Sequence, residues 1–367
     1  MMTDRPKVGL CLCGGGITGA LYEVGCLAAF EEAFEDFSAS QFDLFVGTAA
    51  GSTVALALAG GHSATRLYRA LLDPSDDFFP LQRNHLLRLD LGEMRRMWGT
   101  AFGAARRLIL SASLRPLELE VWNELDRFQD SLPAGLFTLH GYERFLEDFM
   151  RRRGIPGTFD EMGNRLLIAA NDLDAGTRVV FGDGDLKGVG VARAAVASTA
   201  VSPFFAPVEI NGRDYVDAGL GEVGHADLAV DKGCELVLII NPMVPLRSDP
   251  ATRDVPTGHG KKRRVRDKGL LWVMNQSQRI RSEARFRTLV AHYRDVHPET
   301  SLLVLEPDEQ EAKTFLYSPM NFAARRVILE DAYRSTLASL RRPDSPLAHA
   351  FLSRGIRPLR PSAPPRA

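Results

Sequence analysis

The feature that most constrains the fold is a strand-like segment, a small-residue turn and an apolar helical segment, which occur twice in succession near the N-terminus. The first copy, residues 8–36, runs through VGLCLC, the turn GGGITG and an apolar segment with helical spacing. The second copy, residues 42–61, runs through FDLFVG, the turn TAAGS and a helical segment built of small apolar residues. Two such units in a row predict a parallel sheet with helices on both faces.

The rest of the chain extends this α/β pattern. Residues 73–160 have a helical pattern without clear strands, which predicts a helical insertion. Strands resume at RLLIAA and TRVVFG, a hairpin is predicted around Asn211-Gly212, and CELVLIINP is typical of a buried strand. The strand at 301–306 has no partner nearby in sequence, so we expect it to return to the main sheet. The predicted fold is a three-layer α/β/α arrangement around a mostly parallel central sheet, with a helical C-terminal region.

These elements predict one large domain with additions. The α/β domain covers residues 7–310, with the insertion at about 73–160 and a basic Pro/Gly loop at about 246–268. A helical extension, 311–350, is expected to pack on this domain, and 351–367 are expected to form a disordered tail.

Composition argues against several functional classes. The 367 residues include 45 Lys and Arg and 46 Asp and Glu, whereas a dedicated nucleic-acid binder carries a basic excess. No apolar run reaches the roughly 18 to 20 residues that span a bilayer, and no signal-peptide segment precedes the first strand. The four cysteines lie in apolar surroundings, which predicts reduced core thiols rather than a metal site. We therefore expect a cytoplasmic protein without a bound metal.

The first turn has a spacing that two chemistries share. Gly14-x-Gly16-x-x-Gly19 matches a dinucleotide-binding turn, and glycines at a strand-to-helix turn also let backbone N–H groups face an anion. That anion could be a pyrophosphate, or the oxyanion formed when an ester carbonyl is attacked. A dinucleotide fold places an acidic residue at the end of the next strand, about 20 residues on. Here Asp43 begins that strand and Gly47 lies at its end, so a dinucleotide-binding protein is a weak alternative.

The second turn has the skeleton of a nucleophile elbow, G-x-S-x-G. Gly47 and Gly51 occupy the glycine positions, and Ala49 stands where serine is expected. Such a turn holds its central side chain at the top of a sheet, and bulk at the flanking positions would clash. Asp217 ends the strand-like RDYVD, where its carboxylate could act as the base for a residue on the elbow. His225 follows it by eight residues, and we predict a structural histidine at a helix start or in a loop.

In this order and spacing, the three motifs resemble the patatin-like phospholipase family, over about residues 7 to 245. The segments NDLDAGTRVVF and AVASTAVSPFFAPVEINGRDYVDAG, and the strand into Asn241-Pro242, add to the resemblance. It implies a serine–aspartate dyad that hydrolyses acyl esters of lipids, with no metal, no cofactor and no catalytic histidine. It also implies that position 49 holds the nucleophile, that Asp217 is its base, and that the oxyanion hole is formed by Gly14, Gly15 and Gly16.

Two positions depart from the family's pattern. Ala49 has no hydroxyl, so the chain lacks a nucleophile for the acyl-enzyme step, and Ser52 lies nearly one helical turn too far along to replace it. Ala218 replaces the glycine expected after the aspartate, which would strain the backbone if that position requires a positive φ. Two explanations are open: an introduced inactivating substitution, or a natural pseudoenzyme that binds lipid or acyl chains without hydrolysis.

The expected substrate is a lipid or another acyl ester. Two basic segments are candidates for further contact with lipid. Residues 94–110 interleave arginines with apolar residues that include Trp98 and Phe102, as interfacial helices do, although a helix packed on the sheet is the plainer alternative. Residues 247–294 hold thirteen basic and four acidic residues, which suits peripheral contact with an anionic membrane. Within them, headgroup contacts or a solvated loop are predicted for Lys261, Lys262, Arg263 and Arg264.

Overall fold

A mixed eight-stranded sheet forms the centre of the molecule. The computed structural model describes residues 6–86, 88–89, 95, 99, 133–163, 165–220, 224–249, 251, 254–255, 264–316 and 322–356. The strands in these residues are β1 (Val8–Leu12), β2 (Leu44–Thr48), β3 (Arg88–Leu89), β4 (Phe137–Thr138), β5 (Leu166–Asp172), β6 (Thr177–Phe181), β7 (Val208–Ile210), β8 (Arg213–Asp217), β9 (Leu236–Ile240) and β10 (Ser301–Leu305).

Helices cover this sheet and extend beyond it at the C-terminus. They are α1 (Gly16–Ala33), α2 (Ala50–Ala59), α3 (Ala64–Leu72), α4 (Arg83–Leu86), α5 (His140–Arg153), α6 (Val191–Thr199), α7 (Ala226–Asp231), α8 (Leu270–Val296), α9 (Glu309–Thr314), α10 (Phe322–Leu340) and α11 (Pro346–Leu352). Short 3₁₀ turns occur at Ala39–Gln41, Gly184–Gly188, Ala218–Leu220 and Val265–Lys268.

The sheet is parallel at its centre and antiparallel at one side. The strand order is β10-β9-β1-β2-β5-β8-β7, and β6 pairs with β5 outside this path. Strands β10, β9, β1, β2 and β5 run parallel, whereas β6 and β8 pair antiparallel with β5, and β7 pairs antiparallel with β8. The predicted hairpin around Asn211-Gly212 joins β7 to β8.

Successive residues of the central strands face two different cores. In β1, Leu10 and Leu12 belong to the larger core, which also contains α1 and α2. Cys11 and Cys13 belong to the second core, together with Phe286 of α8. A strand buried on both faces needs apolar residues at every position, which explains the continuous apolar run in the sequence. The predicted three-layer α/β/α fold is confirmed, and all four cysteines are free and buried, as predicted.

The insertion between residues 73 and 160 is not purely helical. It contains α4 and α5, but it also contains β3 and β4, which form a short antiparallel pair. This corrects the expectation that the insertion has no strand, since two-residue strands are too short to show a period in the sequence. Phe137 of β4 also bridges Phe205, which ties the insertion to the segment after α6.

The C-terminal elements return to the sheet and then cover α1. Strand β10 pairs with β9 at the sheet edge, as predicted for residues 301–306. Helix α10 approaches α1 closely at Gly25, where a Cβ would lie 2.7 Å from the carbonyl oxygen of Leu329. The sequence predicts a disordered tail that begins at residue 351. Phe351 instead belongs to α11 and is fully buried, and its ring contacts the aromatic rings of Phe30, Phe34, Phe37 and Phe42.

Strand β5 brings the ends of β2 and β8 together. Thr48, the last residue of β2, is opposite Ala169, and Asp217, the last residue of β8, is opposite Ala170. Strand β6 pairs with residues 168–172 of β5, which include both Ala169 and Ala170, so β6 lies along one edge of β5. Strands β2 and β8 therefore lie end to end along the opposite edge of β5. Because β2 and β8 run in opposite directions, their carboxyl ends meet there.

Candidate active site

The turn after β2 is a strained strand-to-helix elbow with Ala49 at its apex. Ala49 has φ 51° and ψ −129°, in a region that residues other than glycine rarely adopt. Both flanking glycines are fixed by close backbone approach. A Cβ on Gly47 would lie 2.5 Å from the Cα of Ser52, and a Cβ on Gly51 would lie 2.7 Å from the carbonyl oxygen of Leu12. The turn therefore requires glycine at the two positions that the sequence motif marks.

Ser198 of α6 links this elbow to the neighbouring strand. Its hydroxyl accepts a hydrogen bond from the N–H of Ala49 at 2.8 Å and donates one to the carbonyl oxygen of Ala169 at 2.6 Å. Both contacts are buried. The backbone of residue 49 is thus held beside the point on β5 where β2 and β8 meet, which is also where Asp217 lies.

Asp217 is a buried carboxyl group whose side chain accepts a hydrogen bond from the backbone. Oδ1 accepts the N–H of Gly219 at 2.8 Å. Burial raises the pKa of Asp217 to about 7, although this hydrogen bond opposes the shift. Ala218 is not among the residues with positive φ, so the strain considered for alanine after the aspartate does not arise. Gly219 is also close to the elbow, since a Cβ there would lie 3.6 Å from Cγ2 of Thr48.

The glycine turn before α1 has three consecutive residues with positive φ. The φ angles of Gly14, Gly15 and Gly16 are 77°, 93° and 68°. The N–H of Gly14 already donates to Oε1 of Glu23 at 2.8 Å. In the described part of the chain, no acceptor contacts the N–H groups of Gly15 and Gly16, which lie at the start of α1. These two groups are available to an anion, and the positive end of the helix dipole adds to the attraction.

Glu23 was not singled out by the sequence motifs. It lies among apolar residues of α1 and is fully buried, and burial raises its pKa. Among the described residues, Oε2 has no hydrogen-bond partner. The sequence signal is a single acidic residue within the apolar run GALYEVGCLAAF. Glu23 positions the glycine turn, since its Oε1 fixes the N–H of Gly14.

The elbow and the glycine turn open onto one apolar cavity of about 770 Å³. Ala49, Gly15 and Gly16 line it, together with apolar side chains from α1, α3, the insertion and α8. A cavity of this size and character is typical of a small-molecule or acyl-chain site. Arg279 of α8 is one of the few charged residues in its wall.

Comparison with known proteins assigns the family. The profile of the patatin-like phospholipase family matches residues 10–229, which is more than half of the chain. The chain belongs to the patatin-like phospholipase family. The matched stretch contains the glycine turn, the elbow and Asp217. No sequence among the curated proteins matches this chain.

Comparison with solved structures finds similarity to two bacterial proteins. VipD from Legionella pneumophila is 14% identical, with a TM-score of 0.36 over 92% of this chain and 67% of that one. Full-length ExoU from Pseudomonas aeruginosa, in complex with full-length SpcU, is 16% identical, with a TM-score of 0.30 over 96% of this chain and 59% of that one. This patatin-like chain therefore spans less than two thirds of the length of ExoU.

Of the other predicted residues of this family member, some lie within the described ranges and some lie outside them. His225 is the residue before α7, as predicted for a helix-start histidine. The imidazole is buried, its Nδ1 lies 3.1 Å from Nη1 of Arg178, and burial lowers its pKa to about 4. Arg264 is exposed before a 3₁₀ turn. Outside the described residues lie Trp98, Phe102, Lys261, Lys262 and Arg263.

Within the described ranges, no group of three or more His, Cys, Asp or Glu side chains has the arrangement of a metal site. In the same ranges, none of the helices combines the length and the apolar character that crossing a membrane requires.

Proposed function

We propose that this chain carries the site of a lipid acyl hydrolase that works through a serine–aspartate dyad, with Ala49 in the nucleophile position. The observation that supports this most is the strained elbow at residue 49, beside the buried carboxyl group of Asp217 on the same edge of β5. Strain of this kind persists where the surrounding structure enforces it, and it is typical of functional sites.

With serine at position 49, each group of the site has a defined task. The carboxylate of Asp217 accepts the hydroxyl proton while the serine Oγ attacks the ester carbonyl carbon. The negative charge that develops on the carbonyl oxygen is stabilised by the N–H groups of Gly15 and Gly16. The alcohol leaves with the proton from Asp217, and water then hydrolyses the acyl-enzyme by the same route. A base whose pKa is about 7 is suited to this work near neutral pH.

The chain as it stands lacks this nucleophile. Ser52, three residues after Ala49, is fully buried, and its Oγ donates to the carbonyl oxygen of Ala49 at 2.6 Å. It is therefore committed to the helix backbone. We expect hydrolysis to be absent or nearly so, since loss of a nucleophile in a comparable serine hydrolase lowers turnover by up to about 10⁶-fold.

The decisive experiment restores the hydroxyl. Ala49→Ser is assayed with short and long acyl esters beside the chain as it stands, and Asp217→Ala is added in the restored background. We expect hydrolysis and covalent labelling by an active-serine phosphonate in the serine variant, and loss of both with Asp217→Ala. If the serine variant folds but shows neither hydrolysis nor labelling, the proposal is wrong.

Lipid binding without hydrolysis is the second candidate. It is favoured by the apolar cavity, which is formed without any contribution from a residue-49 hydroxyl. Mass spectrometry of organic extracts from the purified Ala49 chain would detect retained lipid. Lipid in the extract supports binding, and its absence together with no uptake of added lipid argues against it.

Peripheral membrane contact from the cytoplasmic side is also proposed. Leu270, Val273 and Met274 form an exposed apolar row at the start of α8, and Leu270 also lines the cavity. Arg264 and Arg266 lie exposed just before this row. An apolar row beside basic side chains at the entrance of a lipid cavity is suited to an anionic bilayer surface.

A further inference from the structure

Arg279 is a buried cation without a buried anion beside it. The residue is 3% exposed, and its partners are uncharged: Nε donates to Oδ1 of Asn275 at 2.9 Å, and Nη1 donates to the carbonyl oxygens of Pro242 at 3.0 Å and Val244 at 2.9 Å. Among the described residues, no carboxylate lies within ion-pair distance. Burial lowers the pKa of Arg279 to about 10.

A buried charge normally has a counter-charge, because removing an ion from water is costly. The three hydrogen bonds of Arg279 satisfy Nε and Nη1, and in the described part of the chain Nη2 makes no hydrogen bond. Arg279 lines the apolar cavity. The free side of this guanidinium group therefore suits an anion that enters the cavity.

The same contacts place Arg279 close to the glycine turn. Pro242 and Met243 pack on Gly15, where a Cβ would lie 3.6 Å from Cβ of Pro242 and 3.2 Å from Sδ of Met243. Arg279 is held by the carbonyl oxygen of Pro242 itself. One short segment thus separates the guanidinium group from the N–H groups that would face the reacting carbonyl.

We propose that Arg279 is a specificity-determining residue, which binds the phosphate of an amphiphilic ester ligand whose acyl chain occupies the apolar cavity. The planar fork of arginine matches two phosphate oxygens, and a charged hydrogen bond in a cavity is stronger than a neutral one. In a glycerophospholipid, only a few bonds separate the phosphate from the acyl esters. A phosphate on Arg279 would therefore hold an ester near Gly15 and Gly16. Describing this ligand as a substrate rests on the proposed hydrolase function.

The competing explanation is that Arg279 only ties the segment 242–244 to α8. A structural tie would not distinguish a phosphate-bearing ligand from a neutral one. The experiment must therefore compare ligands that differ by the phosphate alone.

Two non-hydrolysable probes meet this requirement: 1-O-decylglycerol 3-phosphate and 1-O-decylglycerol, both used below their micellar concentrations. Titration calorimetry on the full chain with Ala49 measures binding without any catalytic step. We expect the phosphate probe to bind at least about 10-fold more tightly, which is the effect of one charged hydrogen bond. Inorganic phosphate at the same concentration should not compete, since it lacks the chain that fills the cavity.

Arg279→Gln is the test variant, because its amide can still donate to the carbonyl oxygens of Pro242 and Val244 without a charge. We expect it to lose the preference for the phosphate probe while its affinity for 1-O-decylglycerol is retained. Arg279→Lys, which keeps the charge, should retain part of the preference. Arg281→Met, at an exposed position of the same helix, is the matched control and should behave as the parent chain.

Equal affinity of the parent chain for the two probes would overturn the inference, whether or not any variant folds. An unchanged preference in folded Arg279→Gln would also overturn it, as would equal competition by inorganic phosphate. None of these results depends on hydrolysis, so failure here is distinct from failure of Ala49→Ser to become active.

Discussion

Burial of a single carboxyl group links the proposed base to the stability of the fold. The ordinary pKa of an aspartate is about 3.9, and that of buried Asp217 is about 7. Between these values, the native state binds a proton that the unfolded state has released. The free energy of unfolding therefore falls as the pH rises through this window, and the full penalty is present above pH 7.

Asp217→Asn should remove this penalty, because the amide is uncharged at every pH and can still accept the N–H of Gly219. We expect the variant to be more stable than the parent at pH 8, and the gain to be larger at pH 8 than at pH 5.5 by about 2 kcal/mol. Urea unfolding at the two pH values measures the difference. A gain that does not depend on pH would contradict the raised pKa of Asp217.

At the residue scale, the sequence predicted positions that belong to local motifs. Gly47, Ala49 and Gly51 lie within one turn, and the backbone there shows why glycine is needed on both sides. Glu23 and Arg279 were missed for another reason. Their importance comes from what surrounds them in three dimensions, and neither a glutamate in α1 nor one of several arginines in α8 reveals its burial through spacing alone.

At the scale of helices and strands, α6 is connected to the elbow by side-chain hydrogen bonds. Ser198 joins the N–H of Ala49 to the carbonyl oxygen of Ala169, and thereby joins α6, the elbow and β5. Ser198→Ala would leave the N–H of Ala49 buried without an acceptor. We expect a loss of about 1 to 3 kcal/mol in the free energy of unfolding, measured by urea denaturation.

Thr199→Ala is the matched control for this prediction. The hydroxyl of Thr199 donates to the carbonyl oxygen of Ala195 within the same helix, so its removal leaves no elbow group without a partner. We expect a clearly smaller loss of stability. Equal losses in the two variants would mean that the connection to the elbow has no special weight.

The sequence predicted the elements better than their junctions. The two opening strand–turn–helix units and the hairpin at Asn211-Gly212 have local signals, and the structure contains them. The end-to-end arrangement of β2 and β8 on β5 has no local signal, because β5 pairs with two strands that are both distant from it in sequence: β2, which precedes it by more than a hundred residues, and β8, which follows after β6, α6 and β7. The pair β3–β4 also has no signal in the sequence, since each strand has only two residues.

For the whole molecule, the proposed membrane contact depends on the exposed row Leu270, Val273 and Met274. Their exposed fractions are 73%, 40% and 36%. The double variant Leu270→Glu with Val273→Glu should lose most binding to anionic phospholipid vesicles in a sedimentation assay, because two new charges would have to enter the interface. Neutralising Lys261 to Arg264 should also weaken this binding, and more strongly at low salt.

The control for the vesicle experiment lies at the other end of the same helix. Val296 is 53% exposed, so Val296→Glu adds a charge on α8 away from the cavity. We expect this variant to bind vesicles as the parent does. Equal loss in both glutamate variants would point to a general effect of charge, and unchanged binding in the double variant would exclude the row as the contact.

The strained backbone at Ala49 has a genetic consequence. Alanine and serine share the same Cβ, so the unusual φ and ψ of residue 49 cost the same with either side chain, and exchanging them requires no rearrangement of the turn. A single nucleotide change can convert an alanine codon into a serine codon. If the proposal for this site is correct, a lipid carrier and a lipid-degrading enzyme are neighbours in sequence space, and a lineage can pass between them in either direction without first remodelling its fold.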